Sequence, residues 1–158
     1  MALEIERKFL VENGDWREAT ETSRRIVQAY LALDGDVSVR IRISDDRAAR
    51  IAVKIGQSGL NREEFEYPVP LEDARRMIAA NARRLIEKTR YTVTFEGFLW
   101  EVDAYEGALS GLVIAEVELE SEDDDPRLPA WVGREVTGDN DWSNARLAIA
   151  GLPEETRV

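Results

Sequence analysis

The sequence predicts a mainly β, α+β fold, with roughly eight strands in a mainly antiparallel sheet and two to four helices. Three observations carry this. Most segments alternate apolar and charged residues with a period of two, as half-buried strands do. Neighbouring segments are joined by tight turn signals such as Asp34-Gly35 and Glu96-Gly97. Helical signals are few and short.

Taken in order, Leu3 to Leu10 opens as a strand with Glu4, Glu6 and Lys8 on one face and Leu3, Ile5 and Phe9 on the other. Val11 to Arg25 is polar and helical or irregular, with a turn at Asn13-Gly14-Asp15. Ile26 to Leu33 reads as a strand containing Gln28 and Tyr30. Val37 to Ile43 alternates strictly, Ser44-Asp45-Asp46 turns the chain, and Arg50 to Ile55 alternates again. Gly56 to Gly59 is a loop. Arg62 to Val69 is a strand with Glu64 and Glu66 opposite Phe65 and Tyr67. Pro70 to Ala82 is a helix, with Leu71, Ala74, Ile78 and Ala82 as its apolar stripe and proline well placed at the start. Arg84 to Phe95, Leu99 to Tyr105 and Val113 to Glu120 are strands. Ser121 to Leu128 reads as a capped, acidic helix limited by Pro129. A last helix runs from Asp141 to Ala150, with Leu147, Ile149 and Ala150 on its apolar side.

The 158 residues suit a single domain spanning 1–158, long enough for a real core. A net charge of -11 argues against non-specific binding to nucleic acid or anionic membrane. The N-terminus is charged at once and no apolar run reaches membrane-spanning length, so a cytoplasmic protein is expected. There is no cysteine and no histidine. Thiolate metal sites, Cys nucleophiles and imidazole bases are thereby excluded. Any metal is expected to be hard and oxygen-ligated, such as Mg²⁺, Mn²⁺ or Ca²⁺.

The charges are arranged in dyads of one sign per strand: Arg40/Arg42, Glu64/Glu66, Lys88/Arg90, Glu116/Glu118. A surface tuned for solubility interleaves signs. If the sheet closes, that face becomes a water-filled lumen lined by Glu4, Glu6, Glu64, Glu66, Glu101, Asp103, Glu116 and Glu118 together with Lys8, Arg40, Arg42, Arg50, Lys54, Lys88 and Arg90. An eight-stranded barrel can hold one small ligand. Converging cations call for an anion, and arginine matches phosphate oxygens. Carboxylates tolerate that phosphate when they hold a divalent cation touching it. No Walker-type or Rossmann glycine loop is present, so side chains on strands would hold the phosphates.

These residues resemble the CYTH-domain, or triphosphate tunnel metalloenzyme, family. Glu4-Ile5-Glu6-Arg7-Lys8 is similar to its Glu-x-Glu-x-Lys signature. Val39-Arg40-Ile41-Arg42, Val53-Lys54, Glu64-Phe65-Glu66, Glu87-Lys88-Thr89-Arg90-Tyr91, Glu101-Val102-Asp103 and Glu116-Val117-Glu118 follow in the family's order. Trp142-Ser143-Asn144-Ala145-Arg146-Leu147-Ala148 resembles its C-terminal helix, although Asp139-Asn140-Asp141 makes the helix start unusually acidic. The resemblance implies a closed antiparallel eight-stranded barrel, a tunnel, with helices packed outside. It implies hydrolysis or cyclisation of a triphosphate-bearing substrate with Mg²⁺ or Mn²⁺. By position, Glu4, Glu6, Asp103, Glu116 and Glu118 would hold metal, and Glu64 and Glu66 would serve a second ion or orient water. Lys8, Arg40, Arg42, Lys54, Lys88 and Arg90 would bind phosphate. Catalytic roles fall on Lys88, nearest the leaving oxygen, and on Glu4 and Glu6.

Within the family, the compact single-domain bacterial inorganic triphosphatases are the most similar, and tripolyphosphate is the expected substrate. A class IV-type adenylyl cyclase and a thiamine or nucleoside triphosphatase are alternatives. No aromatic box for a base or thiamine ring stands out; Trp16, Tyr30, Trp100, Trp131 and Trp142 read as packing residues. A polyphosphate-binding module would be the non-enzymatic alternative, and a sandwich with all charges in water the structural one. A homodimer would bury exposed barrel wall.

Overall fold

The computed structural model describes residues 2–56 and 61–153, with side chains over 5–56 and 62–153. Nine strands, all paired antiparallel, wind around one interior: β1 Ala2–Val11, β2 Thr22–Asp34, β3 Val37–Ser44, β4 Ala48–Ile55, β5 Asn61–Val69, β6 Leu85–Phe95, β7 Phe98–Tyr105, β8 Val113–Glu118 and β9 Val132–Glu135. The order is β5-β4-β3-β2-β6-β7-β8-β1-β9. β1 also pairs with β5 through Ala2–Ile5 against Asn61–Glu64, so eight strands return to their start. That seam spans only these four residue pairs. Further along β1, the same edge is taken by β9 at Phe9 and Val11.

Hairpins set the register. Glu96 and Gly97, both at positive φ (50° and 81°), form the two-residue turn between β6 and β7, a geometry glycine adopts without strain. Asp45 and Asp46 are left-handed as well, and the Asp45 carboxylate accepts the Arg25 amide at 2.8 Å, which anchors the β3–β4 turn on β2. A bulge between Tyr30 and Ala32 shifts β2, so that Leu33 rather than Ala32 points inward beside Ser38.

Among the described residues, three apolar clusters hold the ring in place. Phe9, Trp16, Trp100, Val117 and Trp131 pack on the outer wall, with the Phe9 and Trp100 rings 5.5 Å apart. Helix α1, Leu71–Ala80, covers Ala29, Ile41, Ile43 and Ala49 with Ala74, Met77 and Ile78. The third cluster lies inside. Tyr30, Ile86, Tyr105 and Ile114 share the inward parity of Arg40, Lys88, Asp103 and Glu116, and Trp142 and Leu147 pack onto them. Trp142 belongs to a 3-10 turn, Asn140–Trp142, and Leu147 to helix α2, Asn144–Ala150. The C-terminal segment therefore plugs part of the ring with apolar side chains, where a lumen charged throughout was expected. Trp142→Ala, which removes a fully buried indole, is expected to lower stability by about 3–5 kcal/mol in a urea titration at unchanged slope.

Three further expectations are corrected. The expected acidic helix over 121–128 is an irregular turn, because the Asp124 carboxylate accepts the Glu120 and Ser121 amides and Pro126 stands inside the segment. β9 was not anticipated; it is only four residues long and alternates weakly. α2 begins three residues later than expected, with the Ser143 hydroxyl capping the Arg146 amide. Of the expected loop at 56–59, only Gly56 is among the described residues.

Candidate active site

The inward side chains enclose a cavity of about 250 Å³ with a predominantly polar wall. Ten charged residues singled out above by strand parity meet there: Glu6, Lys8, Arg40, Arg42, Lys54, Glu64, Glu66, Arg90, Glu101 and Glu116. Strand pairing is the cause. Lys8 lies opposite Glu116 and Glu6 opposite Glu118 across β1–β8, while Lys54 lies opposite Glu64 across β4–β5.

Among the described residues the wall is nearly balanced in charge: Lys8, Arg40, Arg42, Lys54, Arg62 and Arg90 face Glu6, Asp36, Glu64, Glu66, Glu101 and Glu116. Most are cross-paired. Arg40 approaches Glu64 at 3.7 Å and Glu66 at 3.6 Å, and Lys54 meets Glu64 at 3.4 Å. Arg50 donates to Glu66 at 2.6 Å from a half-exposed position at the edge. The Lys8 ammonium stands between Glu116 at 4.0 Å and the Trp142 carbonyl, to which it donates at 3.3 Å. Such a wall does not attract a polyanion by excess positive charge. A polyanion would have to enter such a wall together with cations, which would take the carboxylates while it took the Arg and Lys groups.

Behind the wall lies a buried ionic triad. The Asp103 carboxylate accepts the Lys88 ammonium at 2.7 Å and the Arg90 guanidinium bidentately at 2.8 and 2.9 Å. Lys88 is 0% and Asp103 1% exposed. Burial alone would raise the Asp103 carboxyl, but Arg90 and Lys88 outweigh it and hold it well below the usual range. Burial lowers the Lys88 ammonium from 10.5 to about 7, against the pull of Asp103. Arg42 is lowered to about 9 by burial and by the facing Arg40 and Arg90. Glu116 is held at about 2, because Lys8, contact with Glu6 and Arg90 overcome its burial.

These shifts have a sign. Between pH 7 and 10.5 the unfolded chain keeps a Lys88 proton that the native state has shed, so the Lys88 contribution makes stability rise with pH across that window. Below pH 7 the burial penalty is present in full. Asp103 gives a slope of the same sign in a more acidic window: its contribution is stabilising, is present above the ordinary carboxylate range and is lost as the pH falls below it. A thermal-unfolding series in which Lys88→Met flattens the pH 7–10 slope relative to wild type is the expected outcome, and an unchanged slope contradicts it.

Three expected roles are altered by this geometry. Lys88 is not part of the cavity wall; it lies behind Arg90 and faces Asp103. Both Asp103 oxygens are engaged by three N–H donors, so a metal ion could reach them only by displacing Lys88 or Arg90. Glu118 is exposed, and it does not line the cavity. The Glu4 side chain lies outside the described residues. No three carboxylates among the described residues converge on one point at ligation distance. The feature that best fits a divalent ion is the hydrogen-bonded contact between the Glu6 and Glu116 carboxyls, where a cation would take the place of the shared proton.

Glu101, placed on the inward face by the same parity as Asp103, approaches Arg90 at 3.4 Å. Other wall residues were not picked out from the sequence. Asn140 and Asn144 are brought to the floor by the C-terminal plug, and no local pattern marks them. Tyr105 donates to the Asn144 carboxamide at 2.6 Å; burial beside Asp103 and Glu116 raises its hydroxyl well above the ordinary value, so it stays a donor.

The fold and the cavity define a class: an antiparallel ring of strands whose interior is a charge-paired pocket. The CYTH domain family matches residues 2–141, and the chain belongs to that family. It is 41% identical over 148 residues to the inorganic triphosphatase of Acetivibrio thermocellus, covering 93% of this chain and 94% of the relative. It is 35% identical over 150 residues to the inorganic triphosphatase of Nitrosomonas europaea, with 93% and 97% covered. A solved structure of an inorganic triphosphatase superposes with a TM-score of 0.72 at 32% identity, covering 95% of this chain and all of that one. No described helix is long and apolar enough to cross a membrane.

Proposed function

We propose that this chain hydrolyses inorganic tripolyphosphate in a divalent-metal-dependent reaction inside the charge-paired cavity. The observation that carries this is the wall itself: cations and carboxylates in near balance, suited to a triphosphate and Mg²⁺ or Mn²⁺ bound together. The relatives named inorganic triphosphatase support the choice of substrate. A cavity of about 250 Å³ with polar walls falls below the usual 300–1,000 Å³ of mostly apolar small-molecule pockets, and Tyr30 is its one aromatic residue among those described. That favours a bare phosphate chain over a nucleotide or thiamine ester.

Glu6 and Glu116, with Glu4 from the same strand as Glu6, are the proposed ion ligands; Glu64 and Glu66 are the proposed second set. A bound divalent ion supplies neutralisation of the phosphate oxygens and an acidified water. Lys8, Arg40, Arg42, Lys54 and Arg90 grip the phosphate chain and hold it in line. Glu4 and Glu6 are the proposed acceptors of the water proton, since no histidine exists to take it. Lys88 fixes the Asp103–Arg90 unit from behind, so that Arg90 meets the charge developing on the leaving phosphate without reorganising.

Phosphate release from tripolyphosphate, ATP and thiamine triphosphate, each with Mg²⁺, Mn²⁺ or EDTA, tests the reading. Tripolyphosphate is expected to be turned over best, with EDTA abolishing release. A nucleotide preferred over tripolyphosphate, or cyclic nucleotide formed from ATP, would overturn it.

A further inference from the structure

Gln28 occupies an inward position on β2 between Arg42 of β3 and Ile86 of β6. It is 0% exposed. Its Oε1 accepts the Arg42 Nε at 2.8 Å. Because Nε–H can only donate, this contact settles the amide orientation: the oxygen faces Arg42, and Nε2 points away, buried and without a hydrogen-bond partner among the described residues. An amide in this orientation ties down the guanidinium at its stem and leaves both terminal nitrogens of Arg42, a wall residue, for the cavity. It also does so without charge. Arg42 is crowded by Arg40 and Arg90, and a carboxylate at position 28 would relieve that crowding by cancelling a cation the ligand needs.

We propose that Gln28 is a positioning residue of the phosphate site: it aims the Arg42 fork into the cavity and, by being neutral, preserves the charge Arg42 offers to an anionic oxygen. The inference rests on the triphosphate reading for the identity of the anion, and on the Gln28–Arg42 geometry for the mechanism. Arg42 would otherwise lose its aim to rotation about its long side chain, so the effect belongs mainly to binding.

The test is a double-mutant cycle with Gln28→Leu, Arg42→Met and the pair, read as tripolyphosphate turnover with Mg²⁺ and as calorimetric binding of tripolyphosphate with Ca²⁺. Gln28→Leu is expected to raise KM about tenfold with kcat within about threefold, the size of one hydrogen bond to a charged group. Gln28→Glu should raise KM further, because it neutralises Arg42. In the cycle, Gln28→Leu should change little once Arg42 is already Met. Full multiplication of the two single effects, or a Gln28→Leu enzyme with wild-type KM and binding, overturns the proposal. Thermal melts of every variant identify one that fails to fold; in that case Gln28→Met and Gln28→Asn, which keep much of the volume, must show the same KM-against-kcat split or the proposal falls. Wild-type protein that binds tripolyphosphate without hydrolysing it would defeat the triphosphatase reading alone, since the binding cycle still reports on Gln28.

Discussion

Asp103→Asn is expected to destabilise the protein by about 3–5 kcal/mol and to reduce kcat at least a hundredfold. The reason is the triad. Asp103 is the buried anion that holds Lys88 and Arg90. Neutralising it leaves the buried Lys88 without its counter-ion and Arg90 with only Glu101, and it turns an NH₂ group toward one of them. Lys88, already lowered to about 7, then sheds its proton more readily still, and the alkaline limb of the rate profile moves to lower pH. Urea titration and steady-state kinetics between pH 6 and 9 check both parts. Pairing Asp103→Leu with Lys88→Met replaces much of the buried ionic unit with apolar volume. That double variant should regain part of the stability and none of the activity. An Asp103→Asn enzyme within about 1 kcal/mol of wild type and with ordinary turnover would show that the triad is not what organises the wall.

Glu116→Gln is expected to lower kcat by about two to three orders of magnitude while the fold is retained, and chelation should reproduce the loss in wild type. Glu116 lies beside Glu6 and within reach of Lys8, so it takes part in both the proposed ion site and the cross-pairing of the wall. With its charge removed, Lys8 turns to the Trp142 carbonyl and the cation-holding carboxylates lose a member. The same charge balance predicts that tripolyphosphate binds wild type at least tenfold more weakly in EDTA than with Ca²⁺. Equal affinity in both, measured by calorimetry, would mean that the polyanion needs no accompanying cation, and the near-neutral wall would then have no functional consequence.

Much of the site was legible because strands alternate. Once Arg40 and Arg42, Glu64 and Glu66 or Lys88 and Arg90 are placed on strands, period two puts each dyad on one face, and hairpin turns bring those faces side by side. Gln28 was not legible as part of the site, because a lone amide on a strand carries no charge pattern and its role depends on the residue across the ladder. The C-terminal plug was not legible either. Leu147 reads as part of the apolar side of a short helix and Trp142 as a packing residue, and only the packed structure shows that they enter the ring instead of covering its outside. The 121–128 segment misled because an acidic start after serine resembles a cap, while the Asp124 turn and Pro126 decide otherwise.

By itself the sequence determined the strand faces, the absence of imidazole and thiol chemistry, and the company of carboxylates with Arg and Lys, since these follow from residue type and a local period. Tertiary structure decided which charges stand in the wall and which behind it. Whether Lys88 meets ligand or Asp103 depends on the stagger of the strands and on depth of burial, and those are set by long-range pairing that no local pattern encodes.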